Sequence, residues 1–404
     1  MEPIERIDPP GWVAERAVAA VLAALGADGA VVRFVGGCVR DTILKRPIGD
    51  IDIATPLFPE EIMRRLAAAK IKAVPTGIDH GTITAVTDER PYEITTLRRD
   101  VETFGRQARV AFSADWQEDS ARRDFTMNAL YLSSEGEVFD YHDGIKDLRA
   151  GKVRFVGDPA MRIREDVLRL LRFYRFHAWY GRGEADVAAR AGCRASTPLL
   201  PTLSGERVQA ELLKLMAAKD PLPSLAMMQE DGVLTRIVPK TRGLEALARL
   251  IKLEPKPDPL RRLAALVASD GDTLARKLKF SNTDRERLIA LSETVPLTSD
   301  AVEQRRLLYR MGRDLYTDRV LLSAAIADDT TTVKRLLGAA AKWKPVAFPL
   351  RGADITAAGV PEGPAIGKLL AELEAWWEAG DFKATRKQCL AEMQRRLDAT
   401  AAPA

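Results

Sequence analysis

Two periodicities divide the chain. Up to about residue 135, short apolar or alternating runs, VVRFVGG (31–37), DIDIAT (50–55), GTITAVT (81–87) and YEITTL (92–97), lie between helical stretches and predict β-strands. Beyond about residue 150 such runs stop and a helical repeat takes over, as in MRIREDVLRLLRFYRFHAWY (161–180) and GERVQAELLKLMAA (205–218). The pattern predicts an α+β N-terminal head, a mixed β-sheet with helices, followed by an all-α remainder. Proline-bearing breaks at 198–205, 219–224, 254–259 and 344–354 separate the helical blocks. At 404 residues the chain exceeds what one core supports, so several domains are expected, with the closing DATAAPA predicted disordered.

Composition narrows the class. Hydrophobic residues at 46% and charged residues at 29% describe an ordinary globular chain rather than a disordered one. A net charge of +4 permits a nucleic-acid partner without requiring one, but Arg162, Arg164, Arg169, Arg172 and Arg175 fall within fourteen residues, and local basic density is what phosphates feel. Cys38, Cys193 and Cys389 have no paired spacing, which fits a reducing compartment and argues against a disulfide scaffold or a zinc site. The N-terminus MEPIERIDPPGW has acids and prolines where a signal peptide needs a basic start, and no run approaches a membrane span. The expected location is the cytoplasm, with no membrane partner.

One stretch, VGGCVRDTILKRPIGDIDIAT (35–55), concentrates chemistry. In a strand, Asp50 and Asp52 present two carboxylates on one face while Ile51 and Ile53 pack the other. That pair can hold a divalent metal or simply be solvated at a strand end, and spacing alone leaves both readings open. Gly36-Gly37 sits at a strand-to-helix turn, where backbone N–H groups can receive a phosphate, although no P-loop motif is present.

Together the Gly-Gly, Arg40-Asp41 and D-x-D resemble the signature of the class II nucleotidyltransferases of the polymerase β superfamily, which include bacterial tRNA CCA-adding enzymes and poly(A) polymerases. Further motifs follow in order. RRDFTMNAL (122–130) resembles the segment in which Arg123, Asp124 and Asn128 contact the ribose and phosphates. DYHDGIKDLRAGKVRFVGDP (140–159) resembles the hinge, REDVLRLLRFYRF (164–176) contains the E-D-x-x-R of the nucleotide-selecting helix, and LSGERVQAELLKLM (203–216) looks like the fifth motif. The resemblance implies a catalytic head (1–150), a neck that selects the nucleotide (151–222), a body (223–340) and a tRNA-binding tail (341–404).

It also implies roles. Asp50 and Asp52 would hold two Mg²⁺, with Mn²⁺ the alternative ion, and Glu93 would supply a third catalytic carboxylate. Gly36, Gly37, Arg40 and Arg172 join the nucleotide site, and Asp166 with Arg169 read the base edge, oriented by Glu165. Without the resemblance, Glu165, Asp166, Arg169 and Arg172 read equally as a helical ion-pair ladder, Glu93 as a solvated strand acid and Arg98 as either a phosphate contact or a solvated side chain. Residues 99–119 take the place of a flexible loop whose usual acid-Gly-Arg centre is Phe104-Gly105-Arg106, so an acidic position has become aromatic.

The reaction implied is addition of C, C and A to the tRNA 3′ end from CTP and ATP. TGIDHGTITAV (76–86) resembles CCA-adding enzymes more than poly(A) polymerases, which carry a G-R-R-F-type segment there. A partial CC- or A-adding enzyme, a poly(A) polymerase and a non-catalytic RNA binder remain as alternatives. His80, His142 and His177 are the only histidines in the sequence and all precede residue 178, so the C-terminal metal-dependent phosphohydrolase domain that some relatives carry, which needs several histidines, is not expected. In the tail, Trp376 and Trp377 read as core or as RNA-stacking residues.

Overall fold

The computed structural model describes residues 2–104, 107–268 and 271–401. Contacts divide the chain into two compact units, one of Met1–Lys240 with Arg276–Phe280, the other of Thr241–Ala275 with Ser281–Ala404.

The first unit opens with the α+β head. Its strands are β1 (Glu5–Arg6), β2 (Arg33–Val35), β3 (Asp52–Thr55), β4 (Lys72–Gly77), β5 (Thr82–Thr87), β6 (Arg90–Thr96), β7 (Arg98–Phe104), β8 (Gln107–Phe112), β9 (Leu130–Leu132) and β10 (Glu137–Asp140). Eight form one mixed sheet in the order β1-β10-β9-β2-β3-β6-β5-β4, while β7 and β8 pair as a separate antiparallel ribbon. The pairing of β3 with β6 is parallel, and it sets Asp52 beside Glu93.

Strands β2, β3, β5 and β6 form where the apolar runs predict, with Phe34, Ile53, Ile83 and Ile94 fully buried, whereas β1, β4 and β7–β10 lie outside the predicted runs. Helices α1 (Arg16–Leu25), α2 (Gly37–Ile43) and α3 (Pro59–Ala68) follow, with α1 and α3 packed together through apolar faces that bury Val18, Val21, Ile62 and Leu66.

Two expectations change here. Strand β3 begins at Asp52, so Asp50 lies just ahead of the sheet, exposed, rather than beside Asp52 within a strand. The segment 99–119, expected as a loop, is mostly the β7–β8 ribbon followed by helix α4 (Trp116–Ala121). The two strands pair in antiparallel register from Arg98 opposite Phe112 to Phe104 opposite Gln107, with a register shift between Asp100 and Glu102.

The helical part of this unit contains α5 (Gly144–Ala150), α6 (Pro159–Glu165), α7 (Leu168–Tyr180), α8 (Val187–Ser196) and α9 (Gly205–Met216). Segments 122–130 and 152–156 are laced by backbone bonds from Thr126 N to Arg154 O and from Val156 N to Asp124 O, both 3.0 Å. Beneath them Phe125 meets Phe155 and Phe176 at centroid distances of 4.8 and 5.1 Å. An aromatic layer thus welds the head to α7, and α7 packs on α9.

The second unit is helical. Its long helix Ala301–Ala327 kinks at Gly312, whose φ of 76° suits glycine. Trp377 is buried with Leu373, Cys389 and Met393 and donates its indole N–H to Ala384 O, so it is core, while Trp376 packs against that cluster half-buried. The last helix, Arg386–Ala401, orders residues 398–401 of the segment expected to be disordered.

Candidate active site

A cavity of about 430 Å³ opens in the first unit between the head sheet and α7. Gly36 and Gly37 form one edge at the β2–α2 turn, where Gly36 has φ 75° and starts the helix. An L-residue with a side chain is strained in that conformation, so glycine is required by the backbone rather than by crowding. Asp52 stands beside this turn at the start of β3, and Arg122, Arg123 and Asp124 enter from the end of α4.

The opposite wall comes from a helix break. The repeat over 161–180 predicts one continuous helix, but α6 ends at Glu165 and Asp166 is extended, with φ −147° and ψ 106°. Its carboxylate accepts from Leu168 N at 3.1 Å, capping α7 as aspartate commonly does. The ladder reading therefore holds only in part. Glu165 bonds Arg169 at 2.6 Å and pairs with Arg162, whereas Asp166 leaves the helix, lines the cavity and accepts from Arg207 at 2.8 and 2.9 Å. Arg169 also donates to the carbonyl of Arg122 at 2.9 Å, tying this wall to the head.

The cavity floor is a chain of charge-assisted hydrogen bonds. Arg172 Nε donates to Asp124 Oδ2 at 2.7 Å, Asn128 Nδ2 to Asp124 Oδ1 at 3.0 Å, and Arg40 Nη1 to Asn128 Oδ1 at 2.7 Å. Arg40 in turn grips Asp41 at 2.7 Å and lies 4.1 Å over the Tyr180 ring. Both ends of the Asn128 amide are thus engaged, which fits it for orienting Arg40 and Asp124. Burial works against the charge on Asp124, but Arg172 and Asn128 outweigh it and hold its carboxyl down at about 2.

Asp52 shows the opposite shift. Burial, then the neighbouring Glu93 carboxylate and more weakly Asp50, push its carboxyl up to about 6, although Arg123 pulls it down. That uncompensated repulsion is what a divalent cation relieves, so the residues fit one. Among the described residues no three His, Cys, Asp or Glu side chains close on one point as a metal cage. A small hard cation held by one or two carboxylates, with substrate phosphates and water completing its shell, needs no such cage.

The structure thus brings Gly36, Gly37, Arg40, Asp52, Arg123, Asp124, Asn128, Asp166, Arg169 and Arg172 to one cavity. Glu93 lies opposite Asp52 on the neighbouring strand and Asp50 two residues ahead of it, both exposed and outside the lining. Glu165 is outside the lining and accepts from Arg169, which is in it. Arg98 is elsewhere: its guanidinium donates to the carbonyl of His80, and its backbone N–H donates to Asp119. Phe104 ends β7, and Gly105 and Arg106 lie outside the described residues.

Sequence reasoning missed Arg122, Leu168, Phe176 and Arg207, which also line the cavity. The signal for Arg207 was present in the quoted ERVQAEL segment, but its partner Asp166 is 41 residues away. With six arginines against three aspartates in the lining, the cavity suits a polyphosphate.

Comparison with known proteins agrees with this geometry. The family model described as "Poly A polymerase head domain" matches residues 32–154, and "Probable RNA and SrmB- binding site of polymerase A" matches 187–244. The mitochondrial CCA tRNA nucleotidyltransferase 1 of Danio rerio is 32% identical over 389 residues, covering 90% of this chain and 87% of its own. The CCA-adding enzyme of Limosilactobacillus fermentum is 35% identical over 355 residues, with 84% and 86% covered. Among solved structures, the Bacillus stearothermophilus CCA-adding enzyme in complex with CTP superimposes with a TM-score of 0.78 at 27% identity, covering 96% of this chain and 98% of its own.

Proposed function

The chain belongs to the CCA-adding tRNA nucleotidyltransferases, and from that premise we propose that the cavity beside Asp52 is where its CCA addition takes place. The enzyme adds C, C and A to the 3′ end of tRNA, using CTP and ATP and no nucleic-acid template. The observation that carries the assignment is the opposition, across one cavity, of Asp52 with the Gly36-Gly37 turn on one side and Asp166 with Arg169 on the other.

In this reading the triphosphate lies along the Gly36-Gly37 turn, near Arg123 and Arg40, where glycine permits close approach and the arginines offset phosphate charge. Asp166 and Arg169 face the base, a carboxylate acceptor beside a fork of donors, which is the complement needed for the amino and ring-nitrogen edges of C and A. The Glu165 and Arg122 contacts hold the Arg169 fork at a fixed angle. Asp52 and Asp50 would hold Mg²⁺, which when bound lowers the pKa of the attacking 3′-hydroxyl and neutralises charge on the leaving pyrophosphate. Glu93, set beside Asp52 by the parallel pairing of β3 and β6, faces the place where that hydroxyl arrives.

The head (1–150) supplies the chemistry, the neck (151–222) reads the base, and the body (223–340) and tail (341–404) hold the tRNA through phosphates and 2′-hydroxyls, as a substrate set of many tRNAs requires. The three cysteines are buried and unpaired, in keeping with the cytoplasm, and among the described residues no helix is long and apolar enough to cross a membrane. Replacing Asp50 and Asp52 by Ala should abolish nucleotide addition while tRNA affinity stays within about twofold. Retained turnover would remove the assignment.

A further inference from the structure

Arg122 and Arg123 face the cavity, yet what fixes them lies outside it. Asp119, on α4, is 1% exposed and accepts from four residues. Arg123 donates through Nη2 at 2.9 Å and Nε at 3.3 Å, Arg122 through Nε at 2.8 Å, and the Tyr131 hydroxyl on β9 at 2.7 Å. The fourth donor is the backbone N–H of Arg98, the first residue of β7, at 3.3 Å. The ribbon closes at this root, where Ser113 N bonds Leu97 O at 2.8 Å.

The consequence for Arg123 is geometric. Its Nε and Nη2 edge is spent on Asp119, and Nη1 lies 3.9 Å from the point where a side chain on Gly36 would begin. A guanidinium is a planar fork, so holding one edge aims the other. Burial opposes the charge on Asp119, but Arg123 and Arg122 overcome it and keep the carboxyl far below the ordinary aspartate range. The carboxylate is therefore a fixed anion to which both arginines are bound.

We propose that Asp119 is a positioning residue: it aims Arg123 and Arg122 at the phosphate end of a nucleoside triphosphate in the cavity and fastens both to the root of the β7–β8 ribbon. This rests on the reading of the cavity as a triphosphate site. Asp119 holds the side chains of Arg122 and Arg123, whereas the base-facing Arg169 takes only the backbone carbonyl of Arg122, so the effect of Asp119 is the same for CTP and ATP.

The test uses the full-length protein and a tRNA lacking its CCA end. In D119N, the KM for CTP, the KM for ATP and the inhibition constant of inorganic tripolyphosphate should rise by one common factor of about tenfold or more, the effect expected for losing charge-assisted bonds, with tRNA affinity unchanged. Y131F keeps the carboxylate and both arginines, and should leave all three constants within about threefold. Added to R122Q/R123Q, D119N should change them by less than about twofold, since its targets are gone.

If D119N does not fold, R123K decides the matter. Lysine keeps the charge but has no second edge to bind Asp119, so the same constants should rise about tenfold. D119N or R123K behaving as wild type, or D119N acting additively in the cycle, would overturn the positioning role alone. A wild-type protein that tripolyphosphate does not inhibit would overturn the triphosphate site itself.

Discussion

In the proposed mechanism Asp52 carries the central chemistry, and its environment makes two opposite predictions for one substitution. D52N should lower nucleotide addition by about 10³-fold or more, because a charge the transition state needs is removed. The same change should stabilise the metal-free protein. A carboxyl raised from 3.8 to about 6 on folding binds more protons in the native state, so its destabilising effect develops as pH rises from about 4 through 6 and is full above 6. In chelator, D52N should therefore melt higher than wild type at pH 8, by at most about 3 kcal/mol, with no advantage at pH 3.5. Asp124 has the reverse sign. Its carboxyl, held at about 2, contributes stability that is present above pH 4 and lost as pH falls through 2, so D124N should cost most at neutral pH, and its deficit in chemical denaturation should shrink toward pH 2.

At the scale of elements, the break between α6 and α7 is what turns Asp166 from a helical surface residue into a cavity residue, and Arg207 on α9 holds it there. R207Q should leave the melting temperature within a few degrees and raise incorporation of UTP or GTP relative to CTP by about tenfold, read by sequencing the products. The β2–α2 turn is the other device. G36A forces a side chain into a φ of 75°, and should cost about 1–2 kcal/mol of stability as well as nucleotide affinity.

These elements also show what the sequence makes legible. Strands β2, β3, β5 and β6 and the D-x-D announce themselves because apolar alternation and two carboxylates at i and i+2 are local patterns, whereas the other strands carry no such run. The break at Asp166 does not, since the apolar repeat continues across it and only the cap and Arg207, far along the chain, decide the conformation. Asp119 was legible in principle, because its spacing to Arg122 and Arg123 is i+3 and i+4. Its bonds to Tyr131 and to Arg98 N depend on the sheet and could not be read.

At the scale of the whole molecule, the cavity proposed for the nucleotide lies in the first unit, lined by residues from Gly36 to Arg207. The second unit is helical and holds its own core around Trp377. If tRNA is held mainly through phosphates, the logarithm of its affinity should fall linearly with that of salt concentration, with a slope approaching −0.7 to −0.9 for each of roughly several contacts. The KM for CTP should respond far less steeply. An affinity insensitive to salt would contradict that account of binding.

The most direct measurement incubates the protein and Mg²⁺ with tRNA transcripts ending just before CCA, supplies CTP alone, ATP alone or both, and sequences the 3′ ends. The account predicts CC from CTP alone and a complete CCA only with both nucleotides, all of it lost in D52N. Addition that stops at CC with ATP present would contradict full CCA synthesis and point to the Phe104 position, while long A tails from ATP alone, or unaltered products from D52N, would contradict the assignment at its centre.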